Sequence, residues 1–160
     1  FFHFYGTPHQ TGIAGYRKAP RIIRNTIRSV APDGLFFVVL DKNKRGRYPR
    51  AVSAGANIYH YGHCRSVQKM NEKLMQVGKY WGDSHSVFKG YGSIDLAELR
   101  PFVGSHPAVM ADWLSNEAEL TFSQDSNYVL SRRDKRNRLR FWLEDKLSLE
   151  ISKKHYTPLD

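Results

Sequence analysis

Two histidines, a glycine, a cysteine and an arginine lie together in residues 58–65, where an apolar run ends and an amphipathic segment begins. Open α/β sheets bind their ligands where strands end in polar turns of this kind. The imidazoles of His60 and His63 can bind a metal ion or a phosphate oxygen, and Gly62 lets the backbone approach a ligand closely. The alternative is that both histidines only complete the hydrogen bonding of a strand-end turn.

A cluster of arginines around a short apolar segment is a second candidate for anion binding. Arg17, Arg21 and Arg24 follow the aromatic residue Tyr16, and guanidinium groups bind phosphate or carboxylate in a bidentate fork. Arg21 and Arg24 have odd spacing, so on a regular strand they point to opposite faces and only one can enter a given cleft. An exposed strand with solvated cations explains the pattern equally well.

Two longer basic runs, residues 42–50 and 132–140, are positively charged but contain no recognisable nucleic-acid-binding motif. On a helix, Arg136 and Arg140 stack four positions apart, opposite the apolar positions. Such a run is either a solvated face or a footprint for the phosphates of nucleic acid or membrane lipid. The sequence has no zinc-finger spacing, no RNA-binding aromatic signature and no leucine zipper.

The composition is that of one ordinary globular domain with a strong preference for anionic partners. The 25 Lys and Arg exceed the 15 Asp and Glu by ten, which favours nucleic acid, anionic lipid or phosphorylated small molecules. No apolar run approaches the roughly 20 residues that span a bilayer. Cys64 is the single cysteine, so no internal disulfide forms, which fits either a reducing compartment or a fold that needs no disulfide. The sequence opens inside an aromatic segment typical of a buried strand, and we expect further residues before it.

Other catalytic arrangements fit the sequence less well. A Cys64 nucleophile would need His63 as its base, but adjacent residues of a strand point apart. Glu117 and Glu119 lie two positions apart on a predicted helix, so their carboxylates diverge. His106 precedes a proline and indicates the entry to a helix rather than a ligand.

Hydrophobic periodicity predicts an α/β or α+β fold, with a strand-rich part over residues 1–65 and a helical extension over 66–160 packed on it as one structural unit. The predicted strands cover residues 1–5, 21–25, 35–40 and 54–61, with a loop over 7–15. Helices are predicted after Ser66, over 93–100, after Pro107 and over 134–149. Two apolar faces are expected to be buried: Val67, Met70, Leu74, Val77 and Trp81 on the first helix, and Leu139, Trp142, Leu143 and Leu147 on the last.

Taken in order, these segments resemble the C-terminal half of bacterial family-2-like nucleotide-sugar glycosyltransferases with a GT-A fold. The resemblance covers residues 1–115, and the matching segments are 4–6, 16–17, 21–25, 58–62, Met70 with Lys73, 80–81 and 104–107. It implies an enzyme that transfers a sugar from a nucleoside-diphosphate sugar, with inversion and with Mn or Mg. The acceptor would be a polysaccharide, lipid or protein glycan precursor.

The family holds its metal with an Asp-X-Asp motif, which this sequence lacks. In the family, that motif and the nucleotide-binding units lie immediately before the segment that matches Phe1. The resemblance therefore implies that the chain is part of a longer transferase and is catalytically incomplete by itself.

On the donor side, the resemblance implies that His60 is a late metal ligand. It also implies that cations after the histidines neutralise the leaving diphosphate, because charge builds on the departing phosphate oxygens. The residues expected at the sugar nucleotide are Arg65, Lys69, Lys73, Tyr61 and His63.

On the acceptor side, the resemblance implies an aromatic and cationic lining, because aromatic faces stack on sugars. The residues expected there are Tyr16, Arg17, Arg21 and Arg24. A carboxylate must take the proton of the acceptor hydroxyl, and Asp41 and Asp33 are the candidates. Both also suit structural roles in turns.

Two rival functions remain open from the sequence. One is a basic nucleic-acid-binding module that uses residues 132–140, and the other is a domain that interacts with an anionic membrane surface. Under the transferase hypothesis the protein is cytoplasmic, with a peripheral position at the membrane as an option, and no specific nucleic-acid partner is expected.

Overall fold

The computed structural model describes residues 1–32, 34, 36–81, 87–116, 118, 121–152 and 154–159. Mixed sheets and helices confirm the α/β or α+β class. In the described residues the strands are β1 (Phe2–Tyr5), β2 (Thr7–Gly12), β3 (Ser29–Val30), β4 (Val38–Leu40), β5 (Gly46–Arg47), β6 (Arg50–Ala51), β7 (Tyr59–His63), β8 (Leu99–Pro101) and β9 (Thr157–Pro158). The helices are α1 (Val67–Trp81), α2 (Ala111–Asn116) and α3 (Arg132–Leu147).

The chain forms two compact units, and each is assembled from separate stretches of sequence. The smaller unit contains Phe1 with residues 15–57 and 151–160, and the larger contains residues 2–14 and 58–150. The smaller unit holds the β3-β4-β5 sheet and the parallel β6-β9 pair. No helix among the described residues is long and apolar enough to cross a membrane.

A four-stranded sheet in the order β7-β1-β2-β8 is the framework of the larger unit. β1 runs parallel to β7, with Phe2 opposite Tyr59 and His3 opposite His60. Side chains alternate between the two faces of a strand. The register therefore gathers aromatic residues on one face and histidines on the other.

The aromatic face of this sheet is built around Phe4, which is 1% exposed. Its ring stacks on Tyr61 with centroids 4.6 Å apart and an interplanar angle of 7°. Phe102 meets the same ring edge-on at 4.9 Å, and His106 lies at 5.1 Å. Offset-stacked and edge-to-face contacts at these distances are the favourable arrangements of aromatic rings.

Helix α1 begins where the sequence predicts it, after Ser66, whose hydroxyl accepts the backbone N–H of Lys69 at 3.3 Å. The helix is tied to the chain that follows through Asn71, whose amide exchanges hydrogen bonds with Phe88 N–H and C=O at 2.8 and 2.9 Å. Of its predicted apolar stripe, Met70 is buried and Leu74 is half-buried. The prediction of a fully buried stripe was wrong, because Val67 and Val77 face solvent.

The predicted buried face of α3 was wrong. Its buried residues are Asp134, Asn137, Phe141 and Glu144, whereas Leu139, Trp142 and Leu147 are exposed. The polar side of α3 is buried, rather than the apolar side, because polar side chains from elsewhere in the unit form hydrogen bonds with it. Asn137 donates to the Glu98 carboxylate, and Tyr128 O–H donates to Asp134 at 2.7 Å. Buried polar groups of this kind are tolerated because they are hydrogen-bonded.

Several predicted strand and helix boundaries also differ from the structure. Residues 21–25 form no strand, and Ile22 is exposed there. The predicted loop over 7–15 contains β2, because Thr7–Gly12 pairs with both β1 and β8. The strand expected over 54–61 lies at Tyr59–His63, and the one over 35–40 is shortened to Val38–Leu40. The helix expected over 93–100 is a single 3₁₀ turn followed by β8.

Asp95 holds α3 to that 3₁₀ turn through a bidentate ion pair. Its carboxylate is 1% exposed and accepts Arg138 Nε at 2.7 Å and Nη2 at 2.8 Å. It also accepts the backbone N–H of Ala97 at 3.1 Å. The hydrogen bonds from Arg138 are the largest cause of a pKa of Asp95 below its ordinary value.

We expect Asp95→Asn to lower the free energy of unfolding by about 2 kcal/mol at pH 7, because hydrogen bonds to a charged group are lost. A lowered folded-state pKa stabilises the protein fully above the unfolded pKa of about 4, and this contribution is lost as the pH falls from there through the lower folded-state pKa of Asp95. Urea unfolding at a series of pH values should therefore show the two proteins converging in acid. Asp145→Asn, at a residue 75% exposed and 3.9 Å from Arg100, is the control and should show no such gap. A pH-independent gap for Asp95→Asn would contradict the ion-pair assignment.

Candidate functional site

The histidine face of the sheet lies at β1 and β7. The rings of His3 and His60 are 5.5 Å apart, and those of His60 and His63 are 6.1 Å apart. Tyr5 stacks on His63 at 6.1 Å. His3 is a residue that sequence reasoning missed, since only the parallel register of two distant strands places it opposite His60.

Lys73 reaches this face from α1. Its ammonium donates to the carbonyl oxygen of Gly62 at 3.2 Å. A Cβ at Gly62 would lie 2.9 Å from His60 Nε2 and 3.2 Å from Lys73 Nζ. The absence of a side chain at position 62 therefore makes room for both groups. Desolvation, followed by the nearby charge of Arg65, lowers the pKa of Lys73.

The surroundings of His63 favour the neutral form of its imidazole at physiological pH. Desolvation by the surrounding protein, with the charges of Lys73, His60 and His3, lowers its pKa to about 4. The residue is exposed, yet these neighbours still oppose protonation. A neutral imidazole can accept a hydrogen bond or bind a cation through one ring nitrogen.

An open cleft of about 400 Å³ lies beside the histidine face, at the start of α1. Its lining residues are Arg65, Lys69, Glu72, Lys73, Gln76 and Trp113. Three cations therefore face one carboxylate, and Glu72 already accepts a hydrogen bond from Gln68 at 3.1 Å. A cationic cleft with an aromatic wall can bind a phosphate group and stack a planar ring.

Three of the residues predicted for the donor side, Arg65, Lys69 and Lys73, meet in this cleft. Gln76 was missed, although its spacing of seven and three from Lys69 and Lys73 puts it on the same helical face. Trp113 was also missed, and it carries no local signal because it comes from α2.

Tyr61, also predicted for the donor side, lies on the aromatic face behind the cleft. Its hydroxyl is hydrogen-bonded to His106 Nδ1 at 2.8 Å, and its ring is 5.5 Å from Trp113. Burial raises the pKa of Tyr61 and lowers the pKa of His106, so the pair is neutral. Tyr61 therefore supports the tryptophan that lines the cleft.

Cys64 is fully buried beside the histidines. Burial raises the pKa of its thiol to about 12. A thiol with such a pKa is not a thiolate nucleophile at neutral pH. This environment agrees with the sequence argument against cysteine catalysis.

The residues predicted for the acceptor side belong to the smaller unit. Arg21 donates to the carbonyl of Gly34 at 2.6 Å and lies 5.0 Å above the Phe1 ring. Tyr16 meets the Phe1 ring edge-on at 5.1 Å. Arg17 is half-buried and Arg24 is exposed. The acceptor-binding role of these residues stays a prediction.

Of the two candidate bases, Asp41 is described and Asp33 lies outside the described residues. Oδ1 of Asp41 accepts the backbone N–H groups of Asn43 and Arg45, both at 2.8 Å. The carboxylate therefore caps the turn between β4 and β5, a structural role typical of aspartate in turns. Its role as a base stays a prediction.

A complete metal site is not present among the described residues, where no three His, Cys, Asp or Glu side chains converge. The described donors therefore do not fit a divalent cation held by protein ligands alone. His60 as one ligand of such a cation stays a prediction, and we derive no chemical step through it.

The fold and the cleft define a mixed α/β chain with a cationic, aromatic-walled site at a strand end. No protein-family model matches the chain, and no curated protein or solved structure is significantly similar to it.

Proposed function

We propose that this chain contributes the diphosphate-binding part of a nucleotide-sugar glycosyltransferase. The observation that carries the proposal is the convergence of Arg65, Lys69 and Lys73 on one open cleft at the end of β7. A diphosphate needs several positive groups in one place. The aromatic wall at Trp113 suits a nucleoside base or a sugar ring.

In the proposed reaction, the acceptor oxygen bonds to the anomeric carbon while the bond from that carbon to the donor phosphate oxygen breaks. The electron pair of the broken bond leaves on the diphosphate. The cleft cations stabilise this growing negative charge. Such stabilisation by groups already in position is usually the largest single contribution to the lowering of the activation barrier. The acceptor proton passes to a carboxylate.

A divalent cation, Mn²⁺ or Mg²⁺, belongs to the proposal as a partner of the donor diphosphate. His60 would give it one imidazole nitrogen, and neutral imidazole is an ordinary ligand for such metals. The proposed location is the cytoplasm, with a peripheral position at an anionic membrane surface that fits the net charge of +10. The acceptor class is a polysaccharide, lipid or protein glycan precursor.

The contacts of two arginines support the cleft, rather than the basic run 132–140, as the proposed site. Arg138 is engaged by Asp95 in a bidentate pair, and Arg140 donates to the carbonyl of Ala14 at 3.1 Å. These two guanidinium groups hold α3 in the larger unit. The run therefore has fewer cations available for nucleic acid than the sequence indicates.

We expect the chain to bind UDP and inorganic pyrophosphate, and we expect Lys73→Ala to weaken both about tenfold or more, because a charge-assisted hydrogen bond to phosphate is lost. Isothermal titration calorimetry measures this directly. Lys135→Ala removes an exposed lysine of α3 and is the matched control, which should bind as the wild type does. Absence of binding by the wild type, or equal binding by Lys73→Ala, would remove the basis of the proposal.

The same titration with Mn²⁺ tests His60. We expect Mn²⁺ to strengthen UDP binding by the wild type and to leave the UDP affinity of the His60→Ala variant unchanged. Both proteins should bind pyrophosphate in the absence of metal. Full Mn²⁺ enhancement in the variant would rule out a ligand role for this imidazole.

A further inference from the structure

The outward face of α3 combines exposed apolar side chains with positive charge. Leu139, Trp142 and Leu147 are 59%, 56% and 57% exposed, and Leu143 between them is half-buried. A soluble helix ordinarily turns such residues toward the core. Here the buried positions Asp134, Asn137, Phe141 and Glu144 face the core instead, so the apolar residues are left outside.

The outward side of this helix carries basic residues and no acidic ones, whereas the inward side carries both, with Arg133, Arg138 and Arg140 beside the acidic residues. At about 100° per residue, the side opposite the buried positions collects four apolar and four basic residues: Leu139, Trp142, Leu143, Leu147, Arg132, Lys135, Arg136 and Lys146. All four basic residues are exposed. Arg136 lies beside the apolar residues, so the prediction that it lies opposite them was wrong. In the fully described span Arg132–Leu147, the acidic residues Asp134, Glu144 and Asp145 all lie toward the opposite side.

We infer that this outward face of α3 docks the protein onto a bilayer surface that contains anionic lipid. The inference rests on the peripheral location proposed above and uses none of the cleft residues. Trp and Leu side chains favour the membrane interface, and the long Lys and Arg side chains that alternate with them on this side of α3 can reach outward to the lipid phosphates. The leucines and the indole enter the boundary between headgroups and acyl chains, and the surrounding cations pair with lipid phosphates.

The charged and apolar residues of this face argue against two other binding partners, a second copy of the chain and nucleic acid. In a symmetric contact with a second copy, the same patch meets itself, so the four cations would oppose four like charges. Nucleic acid would satisfy the cations but would leave Leu139 and Leu147 against a polar backbone. An anionic bilayer matches both the charged and the apolar residues.

We expect the 160-residue chain to co-sediment with vesicles of phosphatidylcholine containing about 30% phosphatidylglycerol, and about tenfold less with phosphatidylcholine alone. We expect the double variant Leu139→Ser, Trp142→Ser to lose about tenfold in partitioning to the anionic vesicles. Both residues are exposed, so the fold should persist, and circular dichroism checks this. Val103→Ser, at a residue 96% exposed in the larger unit, is the control and should partition as the wild type does.

Failure of this inference can be told apart from failure of the transferase proposal. The Leu139→Ser, Trp142→Ser variant should still bind UDP, and Lys73→Ala should still bind vesicles. No partitioning by the wild type, equal partitioning by the double variant, or a wild-type dimer that the double variant abolishes would each overturn the membrane-docking inference. Loss of UDP binding alone would leave it standing.

Discussion

Replacing Phe4 with alanine is expected to lower the free energy of unfolding by about 3–5 kcal/mol. The ring is 1% exposed, and it lies between Tyr61, Phe102 and His106 at centroid distances of 4.6 to 5.1 Å. Its removal leaves a cavity in a tightly packed cluster, so both burial and ring contacts are lost. Chemical denaturation followed by far-UV circular dichroism measures the change.

A surface ring provides the control for this result. Tyr80 is 86% exposed on α1, and Tyr80→Ala should stay within about 0.5 kcal/mol of the wild type. Phe4→Leu should lie between the two because it keeps most of the apolar volume. A Phe4→Ala protein as stable as the wild type would show that the aromatic face is not the core of the larger unit.

Replacing Gly62 with alanine is expected to weaken UDP and pyrophosphate binding about tenfold while leaving the stability nearly unchanged. The added methyl would lie 2.9 Å from His60 Nε2 and 3.2 Å from Lys73 Nζ. Both atoms lie at the ends of side chains that can change conformation. We therefore expect the His60 ring and the Lys73 ammonium group to move, and the backbone to stay in place. The variant therefore displaces the proposed ligand-binding groups without deleting any of them.

Gly12→Ala is the matched control in the same sheet. A Cβ there meets only the carbonyl oxygen of His3 at 3.8 Å, which is ordinary contact. Calorimetry should give wild-type affinity for Gly12→Ala and reduced affinity for Gly62→Ala, and thermal unfolding should give similar midpoints for both. Unchanged affinity in Gly62→Ala would argue that the positions of His60 and Lys73 do not matter to the ligand.

The grouping of Arg65, Lys69 and Lys73 in one cleft follows largely from local spacing, and their role at a sugar nucleotide stays a prediction. Ser66 caps α1, and Lys69 and Lys73 follow at four-residue spacing, so any helix there presents them on one side. The alternation of Phe2, His3 and Phe4 in β1 and of Tyr59, His60 and Tyr61 in β7 is equally local, since a strand has a period of two. These patterns need no knowledge of the rest of the chain. The place of His63 beside His60 does not follow from that period, and the register is irregular where His63 lies opposite Tyr5.

Other parts of the site depended on which segments meet in space. His3 and Trp113 reach the site region only because β1 pairs with β7 and α2 lies near α1's cleft. Nothing in their own neighbourhoods indicates this. The predicted strand over 21–25 failed for the related reason that an apolar segment becomes a strand only when another strand accepts its hydrogen bonds.

Helix α3 shows most clearly what the sequence determined and what tertiary structure decided. The sequence determined that a helix forms and where it begins, because Ser131 and Asp134 make a capping box. The start predicted from the apolar pattern, residue 134, lies two residues inside the helix, which begins at Arg132. Which face is buried was decided by Asp95 and Glu98, two carboxylates about 40 residues earlier in sequence that pair with Arg138 and Asn137. A buried carboxylate without hydrogen-bonding partners costs more free energy than a leucine side chain left in solvent. The polar side of α3 therefore faces the core.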